Sequence, residues 1–130
     1  MLKRTHLNLV HRAHIAHAVL NAEAFTAGTH YSRHIESQAA QTLDIFPYVS
    51  GIDESNTCKI QVQTLNPACS VGDFSSEVES DLVWHDVGTE ITLVNGTNPI
   101  SHLTGVGYRC RLKLTVVGSV TLTVGAVSKS

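Results

Sequence analysis

Between residues 107 and 127 the chain reads GYRCRLKLTVVGSVTLTVGAV, and apolar and polar residues alternate along most of it. Tyr108, Cys110, Leu112, Leu114 and Val116 fall on one side, and Arg109, Arg111, Lys113 and Thr115 on the other. Successive side chains leave a strand on opposite faces, so a period of two marks a half-buried strand. Gly118 and Ser119 supply turn residues, after which Val120, Leu122 and Val124 share one face against Thr121 and Thr123. The stretch predicts a β-hairpin closed at Gly118-Ser119. A chain organised around such a hairpin is mainly β.

The chain has 130 residues, the size of one domain with its own core. Only 15% of them are charged, against ~25% in typical soluble domains, and a chain so poor in charge covers part of its surface with a partner. The formal net charge of -2 argues against direct nucleic-acid binding, which relies on many Lys and Arg. The cysteines, Cys58, Cys69 and Cys110, are odd in number, which excludes a fully paired internal framework and fits a reducing compartment. The opening residues, MLKRTHLNLVHRAH, lack an apolar run of signal length. No run reaches the ~18 apolar residues of a spanning helix, so neither export nor membrane embedding is expected.

Residues 1–24 differ in texture from the remainder of the chain, with His6, His11, His14 and His17 but no Gly or Pro. Their alanines favour a helix, while the alternation in residues 5–9 suits an extended arm over a neighbouring subunit. The expectation is an N-terminal arm or helix over residues 1–24, appended to a β domain over residues 25–130. In that domain residues 31–37, 42–49, 58–65, 82–87, 90–94 and 100–103 predict short strands. Residues 26–29, 50–56 and 95–99 and Gly88 predict turns, and residues 66–81 a long polar excursion. Pro47 lacks a ladder donor and implies an edge or a bulge. Roughly seven or eight short strands fit a single antiparallel β-sandwich, jelly-roll or Ig-like.

His11, His14 and His17 are spaced by three, but no third ligand of metal-site type accompanies them, so no metal is expected. Cys58 and Cys110 take inward strand positions, where free Cys is a small hydrophobe. No nucleophile-base pair, phosphate-cradling loop or dinucleotide fingerprint is present, so neither catalytic residues nor a cofactor are expected. Arg109, Arg111 and Lys113 form a basic stripe. It serves as a solvated outer face or as a contact for an acidic surface, for which Asp73, Glu77, Glu79 and Asp81 of this chain or of another copy are candidates. Leu7, Val10, His11, His14 and Ile15 are the points at which the arm would touch a neighbour.

The segment DLVWHDVGTEIT (residues 81–92), followed by GYRCRLKLT (residues 107–115), resembles small β-sandwich virion proteins of tailed bacteriophages. In those a Trp-containing strand leads to a strand ending in R-x-R-[LV]-x-[LV]-T and then to a terminal strand of alternating Thr and Val. The likeness extends more loosely to residues 29–51. It implies a non-enzymatic structural protein, a head decoration or cement protein or a tail-associated one. Such a protein folds in the host bacterial cytoplasm, contacts its own copies and joins a larger virion protein such as the major capsid or a tail protein. The competing expectation is a ligand- or carbohydrate-binding module of a tail or fibre component, with Trp84, Tyr48 and Tyr31 as stacking platforms.

Overall fold

The structure is a computed structural model that describes residues 14–37, 40–70 and 82–129. Its strands in chain order are β1 (His14–Tyr31), β2 (Ile35–Glu36), β3 (Thr42–Ser50), β4 (Thr57–Leu65), β5 (Trp84–Thr92), β6 (Gly96–Thr97), β7 (Ser101–Thr104) and β8 (Arg109–Lys129). A 3-10 turn, Pro67–Ser70, follows β4. The expected antiparallel β fold is present, and its strands join in one curled eight-stranded sheet.

The hairpin expected at Gly118-Ser119 is absent. Residues 109–129 are one strand of 21 residues, and Val117 and Thr121 pair with Thr57 and Ser50 rather than with each other's limbs. Gly118, at φ 81, takes a left-handed conformation inside the strand and bends it without reversing it. The same substitution of bulge for turn occurs at Gly88. There φ is 71 and β5 runs on through residues 84–92, with a register shift opposite Ile60 and Val62.

β8 is the axis of the sheet. β1 follows it from Lys129 back to Lys113, and β2 continues along Cys110 and Arg109. β3 pairs with residues 121–129 and β4 with residues 110–117, in each case opposite β1, so both lie on the second edge of β8, end to end. The loop of residues 51–56 fills the joint between them and packs on Gly118. β7 and β6 flank β3, and β5 flanks β4. Pro47 lies where the partner of β3 changes from β7 to β6, and its carbonyl accepts from Asn98 N–H on that side, so the missing donor faces the interruption.

Curling brings the two halves of the sheet together: Leu103 of β7 occupies the space a side chain on Gly88 of β5 would need. The core lies on the concave side. Leu43, Ile45 and Val49 of β3, Cys58, Ile60 and Val62 of β4, and Cys110, Leu112, Leu114, Val116, Val120, Leu122 and Val124 of β8 are all buried there. These are the inward positions the alternation predicts. Tyr108 departs from the set, 53% exposed just before β8 begins.

Within residues 1–24, positions 14–24 are strand, not helix, and β1 passes through Phe25 unbroken. Residues 26–29, expected as a loop, belong to it too, with a register shift between Thr26 and Gly28. Val19 and Leu20 reach the core, each 5% exposed. Leu7, Val10 and His11 lie outside the described residues, as do Asp73, Glu77, Glu79 and Asp81.

Candidate functional site

β1 pairs with β8 along one edge. Among the described residues no strand pairs with its other edge. Because the sheet curls, the segment that follows β1 approaches an earlier stretch of this open edge: Arg33 donates from its guanidinium to the carbonyl oxygen of Ala18, fifteen positions earlier. Between them lies a groove in two joined parts of about 460 and 360 Å³. One wall is residues 16–21 with Glu23 and Phe25, and the other is residues 31–36. Val19, Leu20 and Ile35 make its floor apolar, while Glu23 and Arg33 on the walls are exposed. His17 lines one end, its Nε2 3.0 Å from the Ser128 hydroxyl. Burial, with the Arg33 charge adding to it, lowers the His17 pKa from 6.5 and favours the neutral ring.

The wall of residues 31–36 is braced from behind by a cluster centred on Arg111. Its guanidinium carbon lies 3.9 Å from the ring centre of Tyr31 and 4.2 Å from that of Trp84. Arg111 Nε donates to Gln63 Oε1 at 2.9 Å, and Gln63 Nε2 donates to Asp86 Oδ1 at 3.0 Å. His34 meets Trp84 edge-on at 5.0 Å between ring centres. β4, β5, β8 and the end of β1 each supply a member. Trp84 is half-buried, its indole N–H is enclosed, and no described group accepts from it, so stacking is what positions the ring.

The residues singled out from sequence separate into groups here. Tyr31 and Trp84 come together around Arg111, whereas Tyr48 pairs with Thr123, ten positions along β8 from Lys113, the partner of Tyr31. Arg109 forms an ion pair with Glu36 at 2.9 Å, and Lys113 pairs through its backbone with Tyr31 and Gln61, so the members of the basic stripe have separate partners in the sheet. His14 and Ile15 are exposed at the start of β1.

Gln61 and Gln63, polar members of the alternation in β4, are only 7% and 8% exposed. Gln61 Nε2 donates to the Val87 and Gly88 carbonyls, so the outer face of β4 is roofed by polar contacts with β5. Two Gln residues at alternate positions of a strand with apolar ends were the available signal. Asp44 is a second such residue, 8% exposed between Lys129 Nζ at 2.7 Å and His102 Nδ1 at 2.5 Å. The Lys129 hydrogen bond, with His102 adding to it, holds the carboxyl below 3.8 against the opposing effect of burial.

Cys58, Cys69 and Cys110 are free thiols. Burial pushes Cys58 up to about 11 and raises Cys110 as well, which makes poor nucleophiles of both. No group of three His, Cys, Asp or Glu side chains converges among the described residues.

No protein-family model matches the sequence, and no curated protein matches it. Among solved structures the chain is similar to the SPBc2 prophage-derived protein YomS, with a TM-score of 0.52 and 15% identity, over 92% of this chain and 95% of that one. At this identity the likeness is one of fold.

Proposed function

We propose that the chain is a non-enzymatic structural component of a bacteriophage particle, a capsid decoration or cement protein or another surface component, whose sandwich-like body is repeated through protein-protein contacts. The observation that carries this reading is the shared fold with a prophage-derived protein over nearly the whole length of both chains. The outer edge of β1, with which no strand pairs among the described residues, supports it from another direction, since such an edge with a groove beside it is a surface for main-chain association. Its partners are further copies of itself and a larger virion protein. Mass spectrometry of purified particles, with imaging of a labelled chain, tests this. Recovery in stoichiometric amounts supports the reading, and absence from the particle overturns it.

A second reading, a carbohydrate-binding module of a tail or fibre component, draws on the exposed rings of Tyr31 and Tyr48, at 51% and 50%. Against it, Arg111 already covers part of Tyr31 and Trp84. Glycan-array binding that is lost in Tyr48→Ala would favour this second reading.

A further inference from the structure

We infer that the groove beside β1 receives residues 3–12 of a second copy of this chain, laid in as an extended segment. The inference rests on the reading of the chain as a self-associating particle component and names the contact through which it would associate.

Three features of the molecule point to this occupant. Among the described residues no strand pairs with this edge of β1, where Arg33 caps the Ala18 carbonyl, and Val19, Leu20 and Ile35 lie beneath the groove, so an extended peptide can be laid along it. Residues 5–9, Thr-His-Leu-Asn-Leu, alternate, with Leu7 and Leu9 on one side. Charge agrees with it: residues 1–13 hold Lys3, Arg4 and Arg12 and no acid. The rest of the chain therefore has six Lys and Arg against eleven Asp and Glu, and on the groove walls the carboxylates of Glu23 and Glu36 outnumber the one guanidinium there, that of Arg33.

Direction distinguishes a neighbour's segment from the chain's own. β1 starts at His14 beside the mouth of the groove, which is lined from Ala16 onward. To enter its own groove the preceding chain would have to reverse within residues 10–13, Val-His-Arg-Ala, none of which is a turn former. Thirteen residues reach at most about 45 Å when extended, ample for the next subunit.

The test uses full-length chains with Cys69→Ser, which leaves only the buried thiols Cys58 and Cys110. Leu7→Cys chains are mixed with Ala18→Cys chains under mild oxidation. Asn21→Cys serves as a second groove position, and Val117→Cys, exposed on β8, as the control. Circular dichroism selects the folded variants. The expected result is a mixed disulfide dimer at either groove position in yield about tenfold above the control, because docking raises the local thiol concentration. Equal yields at groove and control positions overturn the inference. So does rapid internal closure of a Leu7→Cys/Ala18→Cys double variant at high dilution, which would place the segment in its own groove. Failure here with the chain present in particles rejects the groove contact alone, whereas absence from particles rejects the broader reading.

Discussion

Asn56 Oδ1 accepts a hydrogen bond from the Ser119 N–H at 2.8 Å, and the same oxygen stands where a β-carbon on Gly118 would have to be. Asp53 Oδ1 in turn accepts from the backbone N–H groups of Ser55 and Asn56, each at 2.8 Å, so the loop presents Asn56 rigidly to the bend. Gly118→Ala adds both this collision and a left-handed non-glycine residue. It is expected to destabilise the fold by about 1–3 kcal/mol or more. Asn56→Ala removes two solvent-accessible hydrogen bonds, that from Ser119 N–H and that to Asp53 Oδ1, and should cost about 1–2 kcal/mol, less than Gly118→Ala. Urea melts of the two variants check the order.

Leu112 is fully buried at the middle of the core, and Thr121 is half-buried on the opposite face of the same strand. Leu112→Ala is expected to cost about 2–5 kcal/mol, and Thr121→Ala well under half of that. Equal losses in denaturant melts would contradict the assignment of faces.

Trp84 is the single tryptophan, so its fluorescence reports on the Arg111 cluster. Arg111→Ala should shift and intensify the emission, because the guanidinium leaves the ring and water takes its place. Its stability cost is expected to be about 1–2 kcal/mol, from the cation-ring contacts and the Gln63 bond together. An unchanged spectrum would show that the stacking does not persist in solution.

The lowered carboxyl of Asp44 gives stability that is present above its unfolded value of 3.8 and is lost as pH falls through the folded value. Asp44→Asn should therefore be destabilising near neutrality and should flatten the acid limb of the stability profile. Urea midpoints at about pH 7 and about pH 3 measure both effects. A parallel acid limb in the variant would exclude Asp44 as its source.

His17 acts in a different pH window. Its folded pKa lies below 6.5, so the unfolded chain takes up a proton more readily, and stability declines as pH drops below that value. His17→Gln keeps a partner for Ser128 without the titration. It should remove the part of the decline between the folded His17 pKa and 6.5, which NMR titration of the ring and melts across that range will show.

The inward positions of β3, β4 and β8 are readable from alternation alone, because a buried face imposes period two wherever the sheet goes. Alternation leaves ambiguous whether the strand turns back at Gly118 or continues. A positive-φ glycine serves a turn and a bulge equally well, and Gly88 misleads in the same way. The distinguishing signal lies in parity. A two-residue turn at 118–119 would pair Val117 with Val120, which the alternation puts on opposite faces, whereas the buried positions stay even-numbered from Cys110 to Ser128. The Arg111 cluster is half legible. Tyr31, Trp84 and Arg111 each stand out in the sequence, but their meeting depends on how the sheet curls and is not encoded in local spacing. The alanine-rich start of β1 favours a helix by propensity, and pairing along the whole of β8 overrides that preference.

Because every other strand except β5, β6 and β7 bonds directly to β8, and those three bond only to strands that do, the last strand in chain order is the one on which the sheet is assembled. During synthesis the edges of β1, β2, β3 and β4 that face β8 emerge unsatisfied, and β1 waits roughly a hundred residues for its partner. Closure is then a late, long-range event of the kind that makes β proteins slow to fold. Once made, the shared strand leaves neither half of the sheet able to melt alone, so a disturbance at either end of β8 is felt by the whole.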